Sequence, residues 1–343
     1  MIVHVLNSTG AGGNERLCLE LMRHAPPDIR HVVILIGPSP VGALDELFRS
    51  IPDLQVLHEP YTPSARITFL FRLALHLRAL RPHGVVVFAF GLHVLVAIAS
   101  KVLPRHRFIA HVGNPPRKDG PDRQTFRRIL LASRALNVAL WCCSQAVYRQ
   151  LSELGVGMPG NSRAQLNGID IKALREAAAR GRSKRTEAGP ILAMVARLDR
   201  IKDQDSLLTA FVRIRQRHND ARLWIIGDGE RRQLLEQQAS TLGLGPSVSF
   251  KGVRQDVAEL LGQIDLFVFS TTAEEGFGIA LAEAMAVGLP VIASDVPACR
   301  EVLGSTLVTQ LVPPADPDAL ANGVLALLGN PERAREVGRA AAE

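Results

Sequence analysis

Cysteine and aromatic residues are both scarce in this chain. The four cysteines, Cys18, Cys142, Cys143 and Cys299, are scattered apart from one vicinal pair. They fit neither a disulfide framework nor metal-ligand spacing, and read as small buried hydrophobes in a reducing compartment. Aromatic residues make up 5% of the 343 positions, and none is interleaved with a basic run as a stacking platform. Nucleic acid is therefore not an expected partner, despite a formal net charge of +7.

A leader is missing as well. The start, Met1-Ile2-Val3-His4-Val5-Leu6-Asn7, has no basic segment and no apolar region long enough for a signal peptide, so a cytoplasmic location is expected. One segment suggests a membrane span, Gly84 to Ala99, but it is broken by Gly91 and His93. A spanning helix needs about 20 uninterrupted apolar residues, so a buried strand followed by a core helix is the better reading. Neither metal nor cofactor is expected.

What the chain does have is a rhythm. Strand-like runs at Ile2 to Asn7, His31 to Ile36, Leu54 to Leu57, Val85 to Phe90, Arg107 to His111 and Val138 to Cys143 alternate with helix-like ones. The rhythm restarts with Ile191 to Ala196, Arg222 to Gly227, Ser247 to Phe250, Leu266 to Ser270 and Val291 to Ser294. Such alternation predicts α/β architecture, with parallel sheets covered by helices on both faces. A chain of this length exceeds the roughly 250 to 300 residues at which single cores stop growing. Two domains are expected, at 1–171 and 190–330, joined by a polar linker at 172–189. A last helix opens at Pro331-Glu332 and stops at Glu343, which reads as the start of a C-terminal helix cut short.

The densest chemistry lies between the last two strands. Glu275-Gly276-Phe277-Gly278 precedes Glu283-Ala284-Met285-Ala286 and Gly288-Leu289-Pro290-Val291-Ile292-Ala293-Ser294. Gly276 and Gly278 allow the backbone to approach a ligand closely. The helix starting near Ile279 offers unpaired N–H groups at its first turn. With Glu275 beside them these donors suit sugar hydroxyls, and Glu283, roughly 12 Å away if both were helical, suits a second hydroxylated ring such as a ribose.

Two further loops carry charge or glycine. Arg197 and Lys202 sit five apart after the strand Ile191 to Ala196, at the sheet edge where parallel sheets bind ligands, and suit a diphosphate leaving group. Ser8-Thr9-Gly10-Ala11-Gly12-Gly13-Asn14-Glu15-Arg16 feeds a helix N-terminus and suits an anion, but lacks the third glycine of a dinucleotide fingerprint. His111 ends a strand at the same kind of edge, where a pKa near 6.5 suits a phosphate or an acceptor proton; His93 is a weaker candidate.

Residues 266–301 resemble the signature region of retaining glycosyltransferases of family 4, through E-G-F-G-x4-E-A-M-A-x-G-x-P-V-I-A-S. The resemblance implies the GT-B architecture, two Rossmann-like doubly wound domains facing a cleft, and transfer of a hexose from a UDP- or GDP-sugar to a hydroxyl acceptor with retention. It implies that Glu275, with Gly276, Phe277, Gly278 and Ile279, holds the donor sugar and that Glu283 holds the ribose. Arg197 and Lys202 then bind the diphosphate, although Ala196 and Asp203 replace the glycines of the family's G-R-L-x-x-x-K-G. Gly12 and Gly13 match its Gly-Gly-x-Glu-Arg segment, Gly227 and Gly229 its turn near the nucleotide, and Lys251 and Val253 the segment bordering the base. Related enzymes place a histidine like His111 toward the cleft. A nucleotide-sugar epimerase or hydrolase, or a non-catalytic sugar-nucleotide binder, would share the architecture.

Charge bears on the acceptor. Residues 1–172 carry a balance of +9 and residues 173–343 a balance of −2. The excess gathers in Lys101, Arg105, Arg107, Arg117, Lys118, Arg123, Arg127, Arg128 and Arg134, beside Phe126, Ile129 and Leu130. This suggests a carbohydrate or lipid-linked acceptor and peripheral contact with an anionic inner membrane face.

Overall fold

The computed structural model describes residues 1–10, 12–116 and 121–343, less the side chain of Pro121. The chain divides into two compact units, Met1–Gly168 and Ile169–Glu343. The first unit carries β1 (Ile2–Leu6), β2 (His31–Leu35), β3 (Gln55–His58), β4 (Gly84–Val87), β5 (Arg107–Val112), β6 (Ala139–Cys142) and β7 (Arg163–Ala164). The second carries β8 (Ile191–Val195), β9 (Arg222–Ile226), β10 (Val248–Gly252), β11 (Leu266–Phe269), β12 (Val291–Ser294) and β13 (Leu311–Val312). Each of the eleven runs read from the sequence is a strand. The two-residue edge strands β7 and β13 are too short to leave a pattern.

Both sheets are parallel and doubly wound. Their orders are β3-β2-β1-β4-β5-β6-β7 and β10-β9-β8-β11-β12-β13. Strands covered on both faces need apolar side chains at every position, and Val3, Val5, Ile34, Val85, Val87, Phe267, Val268 and Phe269 are all buried. The helix Gln204–Arg217 illustrates the covering layer, since Leu207, Phe211 and Ile214 form one buried stripe. Strand order reverses between β1 and β4 and again between β8 and β11. At these points the loops leaving the strands diverge, which opens a crevice outside their carboxyl ends.

Residues 172–189, read from sequence as a linker, carry the helix Ile171–Arg182, capped by the Asp170 carboxylate and held within the second unit. It crosses the short helix Val257–Leu261 closely. A Cβ on Gly181 would lie 1.8 Å from the Glu259 carbonyl oxygen, and one on Gly262 2.0 Å from that of Ala178. Arg185 then forks the Asp265 carboxylate at 2.6 and 2.8 Å, just before β11. Polarity here belongs to a helix with one wet face. The helix Pro331–Ala342 also sits in this unit, where Arg175 donates to the Ala286 and Ala342 carbonyls, both at 2.8 Å.

The Gly84 to Ala99 segment is β4 followed by the helix His93–Ala99. Among the described residues no helix is long and apolar enough to cross a membrane.

Candidate functional site

The reversal point of the second sheet brings two loops together. After β8 comes the loop from Ala196 to Asp203, and after β11 the loop from Ser270 to Gly278. Asp199 folds the first by accepting from the Ile201 and Lys202 N–H groups at 3.0 and 3.3 Å. The second is tied to it by the Thr271 hydroxyl and the Thr272 N–H, both donating to the Ile201 carbonyl at 2.9 Å. Ser294, at the end of β12, accepts from the Thr271 N–H at 2.9 Å.

This frame places Lys202 on Glu275. The carboxylate is buried, at 6% exposure; Lys202 and the Gly276 N–H donate to it, and the Thr271 hydroxyl shares its single proton between it and the Ile201 carbonyl. Lys202 Nζ and Thr271 Oγ1, the latter at 3.1 Å, bond Oε2, and the Gly276 N–H bonds Oε1 at 3.2 Å. Burial by itself pushes the Glu275 pKa up, but the Lys202 charge, the Lys202 and Thr271 hydrogen bonds and the Phe277 N–H outweigh it. The net value lies below the usual 4.5. Lys202 Nζ also sits 4.8 Å from the centre of the Phe269 ring, a second favourable site for a desolvated cation. Arg197 stands apart from this pair. It bonds Asp199 at 3.0 Å and its side chain is 58% exposed.

Glycine is required at two places around these loops. Gly278 caps the helix Ile279–Ala286 in the left-handed region, at φ +90°, with its Cα side against the Phe269 ring. Gly227 has φ +133°, and a Cβ there would lie 1.9 Å from the Ala196 carbonyl oxygen. The turn after β9 is thus pressed onto the loop after β8, and the Leu198 N–H donates to the Asp228 carbonyl at 3.0 Å. Gly229 closes the same contact. Further out, Lys251 lies over the Trp224 ring at 4.3 Å and Val253 is exposed. Glu283 is half-buried on the second turn of its helix.

In the first unit the carboxyl ends of β1, β4 and β5 meet. Gly12 caps the helix Gly13–Arg23, and Asn14 in its first turn donates to the Phe88 carbonyl at 3.2 Å. The Phe88 ring lies 5.5 Å from that of His111. His111 is buried, with the Asn167 side chain beside its ring at a geometry short of a regular hydrogen bond. Burial pushes its pKa down to about 4, against an opposing pull from Asn167. His93 differs. Its Nδ1 accepts from the Gly91 N–H at 3.1 Å and its Nε2 meets the Ser133 hydroxyl at 2.8 Å. A histidine with both nitrogens engaged is a structural one.

With this geometry in place the known proteins can be compared. A family model described as glycosyl transferases group 1 matches residues 176–343. Over these residues the chain is similar to the group 1 glycosyltransferases. It is 38% identical over 131 residues to the phosphatidyl-myo-inositol mannosyltransferase of Mycobacterium leprae, covering 38% of this chain and 34% of that one. The chain thus spans about a third of that relative's length in the match. EpsF of Bacillus subtilis is 28% identical over 327 residues, covering 90% of this chain and 83% of its own. Among solved structures, Anabaena HepE in complex with UDP-glucose superposes with a TM-score of 0.85 at 22% identity, covering 99% of this chain and 93% of that one. The fold is GT-B, two Rossmann-like parallel-sheet domains.

The structure joins Lys202, Glu275, Gly276, Phe277, Gly278 and Ile279 directly, with Arg197, Gly227 and Gly229 on adjoining loops. Gly12, Gly13 and His111 lie in the first unit. Three positions were missed from sequence: Asp199, Thr271 and Ser294, which hold the loops and the carboxylate in place. The one available signal is Thr271-Thr272 at the end of a buried strand. The basic run is also revised. Leu130 is fully buried and Phe126 packs on Phe90 at 5.2 Å, so these apolar neighbours serve the core. Arg123 and Arg134 donate to the Glu153 and Val156 carbonyls. Arg117 and Lys118 lie outside the described residues.

Proposed function

We propose that the chain transfers a hexose from a UDP- or GDP-sugar to a hydroxyl acceptor with retention at the anomeric carbon, in the synthesis of a cell-surface polysaccharide or glycolipid. The observation that carries this reading is the Lys202–Glu275 pair at the reversal point between β8 and β11, next to the glycine turn that opens the helix Ile279–Ala286. An ammonium has three donors. Glu275 takes one, which leaves two for the oxygens of a donor diphosphate. The Glu275 carboxylate, held ionised, accepts from sugar hydroxyls, while the first-turn N–H groups behind Gly278 donate to them.

In this scheme Arg197, exposed at the surface beside Asp199, adds the second cation on the leaving group. Charge placed where the diphosphate departs lowers the barrier most. Glu283 takes the ribose, and Lys251 and Val253 border the base. The departing diphosphate receives the acceptor proton, so no residue here is assigned as a base. His111, neutral near pH 7, offers one donor and one acceptor nitrogen to a bound group. The reaction is proposed to need no metal, and loss of transfer in EDTA would contradict that. The relatives' names favour a hexose and a lipid or polysaccharide acceptor; the site of action proposed with them is the cytoplasm, at the inner membrane face.

A thermal-shift panel of UDP-, GDP- and ADP-sugars tests the proposal. One donor should raise the melting temperature, and that donor should be consumed only when an acceptor is present. No stabilisation by any donor sinks the reading. Turnover without acceptor moves the assignment to a hydrolase or epimerase.

A further inference from the structure

The helix Arg66–Leu80 is apolar on two opposite faces, and the core covers only one. Phe69, Leu73 and Leu77, spaced by four, are buried in the first unit. Ile67, Phe71 and Leu75 form a second stripe with the same spacing, displaced by two residues, which is about 200° around the helix. They are 83%, 65% and 51% exposed. Three large apolar side chains on one exposed line are not the scattered singles of an ordinary surface.

The chain around this stripe is basic, and a carboxylate that reaches the helix, Glu59, is engaged by His76 at 2.8 Å. From Pro60 to Lys118 the sequence contains no Asp or Glu and nine Lys or Arg. Arg78 continues the stripe one turn beyond Leu75, Arg72 flanks it, and both are exposed. The helix packs against the helix His93–Ala99 and the 3-10 turn Ser100–Val102. These present Ile98 and Val102, at 44% and 49% exposure, beside the exposed Lys101.

We propose that the helix Arg66–Leu80 is the surface by which this chain docks on an anionic lipid bilayer. Fifteen residues rise about 22 Å, short of the roughly 30 Å hydrocarbon core, so the helix lies in the interface rather than crossing it. Ile67, Phe71 and Leu75 enter the acyl boundary, and the arginines meet anionic headgroups. A second copy of the chain is a poorer occupant, because an isologous contact would bring Arg72 and Arg78 against their own like charges. The inference deepens the lipid-linked acceptor reading and rests on it for its biological sense, while its physical test is independent of catalysis.

The test is co-sedimentation of the full chain with phosphatidylcholine vesicles, with and without phosphatidylglycerol. Binding should require phosphatidylglycerol and weaken in high salt. Ile67→Glu/Phe71→Glu should cut the bound fraction at least tenfold with an unchanged melting temperature, since both side chains are exposed. Arg72→Gln/Arg78→Gln should reduce it and flatten the salt dependence. Glu275→Ala should bind vesicles as wild type, which separates docking from the donor site. Equal pelleting of the Ile67/Phe71 variant overturns the proposal. So does absence of vesicle binding together with a dimer in sedimentation velocity that the same variant dissolves, and in that case the donor-site reading stands untouched.

Discussion

Lys202 and Glu275 lie 73 residues apart in the chain and form one buried ion pair across the reversal point of the second sheet. The pair joins the two loops that such a sheet offers to a ligand. It also makes the unliganded site depend on an internal cation.

Removing one partner should therefore cost more than removing both. Lys202→Met leaves the Glu275 carboxylate buried without its counter-charge, a change worth about 3 kcal/mol. Lys202→Met/Glu275→Gln should recover part of it. Urea unfolding of the three proteins checks this, and a double variant no better than the sum of the singles would show that the two do not couple.

Donor binding should split by residue. With the donor found in the thermal-shift panel, Glu275→Ala should bind the nucleoside diphosphate normally but lose discrimination among sugars. Glu283→Ala should weaken the nucleoside diphosphate itself, by roughly tenfold for one lost hydrogen-bonded contact to a charged group. Calorimetric titration with the free nucleotide and the sugar nucleotide separates the two. If both variants bind every donor as before, the roles are misassigned.

Acid should weaken the first unit before the carboxylates titrate. His93 and His111 have folded pKa values of about 4 against 6.5 when unfolded. The unfolded chain therefore binds more protons between these limits. Stability is full above pH 6.5 and falls as pH drops toward 4, by up to on the order of 3 kcal/mol for His93. Glu275 adds its own loss only below about pH 4.5, because its pKa is depressed. Trp141 lies in the first unit and Trp224 in the second. A Trp224→Phe variant thus leaves emission that reports on the first unit alone.

The two buried histidines should part under substitution. His93→Gln breaks contacts to Gly91 and Ser133 and should lower the melting temperature by several degrees. His111→Gln loses only the contact to Asn167 and should cost less stability than His93→Gln. It should instead lower transfer tenfold or more. A His111 variant with full activity would assign that residue to packing.

Gly227→Ala combines a left-side φ with a methyl 1.9 Å from a carbonyl oxygen, and should destabilise by about 2 kcal/mol or more. Gly168→Ala, with nothing within 4 Å of the added carbon, serves as the neutral control. Denaturant midpoints decide between them.

Much of this was legible in the sequence because both sheets are parallel and buried on both faces. Runs such as Val85 to Val87 and Leu266 to Phe269 can hardly be anything but central strands. The Glu275 to Glu283 segment was legible because glycines, carboxylates and a following strand occur in one continuous stretch. The Lys202–Glu275 pair was not. It depends on how far two loops lean toward each other, and that is set by Thr271, Asp199 and Ser294, whose small polar side chains leave no periodic trace. The helix at 171–182 was misread for a related reason. Its contact uses Gly181 and Ala178, residues that look like spacer composition when no partner is in view.

The place of β1 in its sheet has a consequence for synthesis. It is an interior strand, and one of its two neighbours is β4, where Gly84 stands opposite Ile2. A ribosome adding roughly 5 to 20 residues per second needs roughly 4 to 16 s to make the intervening chain. Throughout that interval β1 offers an open edge bearing Val3 and Val5. The nascent first unit therefore carries an unpaired apolar strand edge before it is a folded domain, and the wait repeats when β8 must pair with β11.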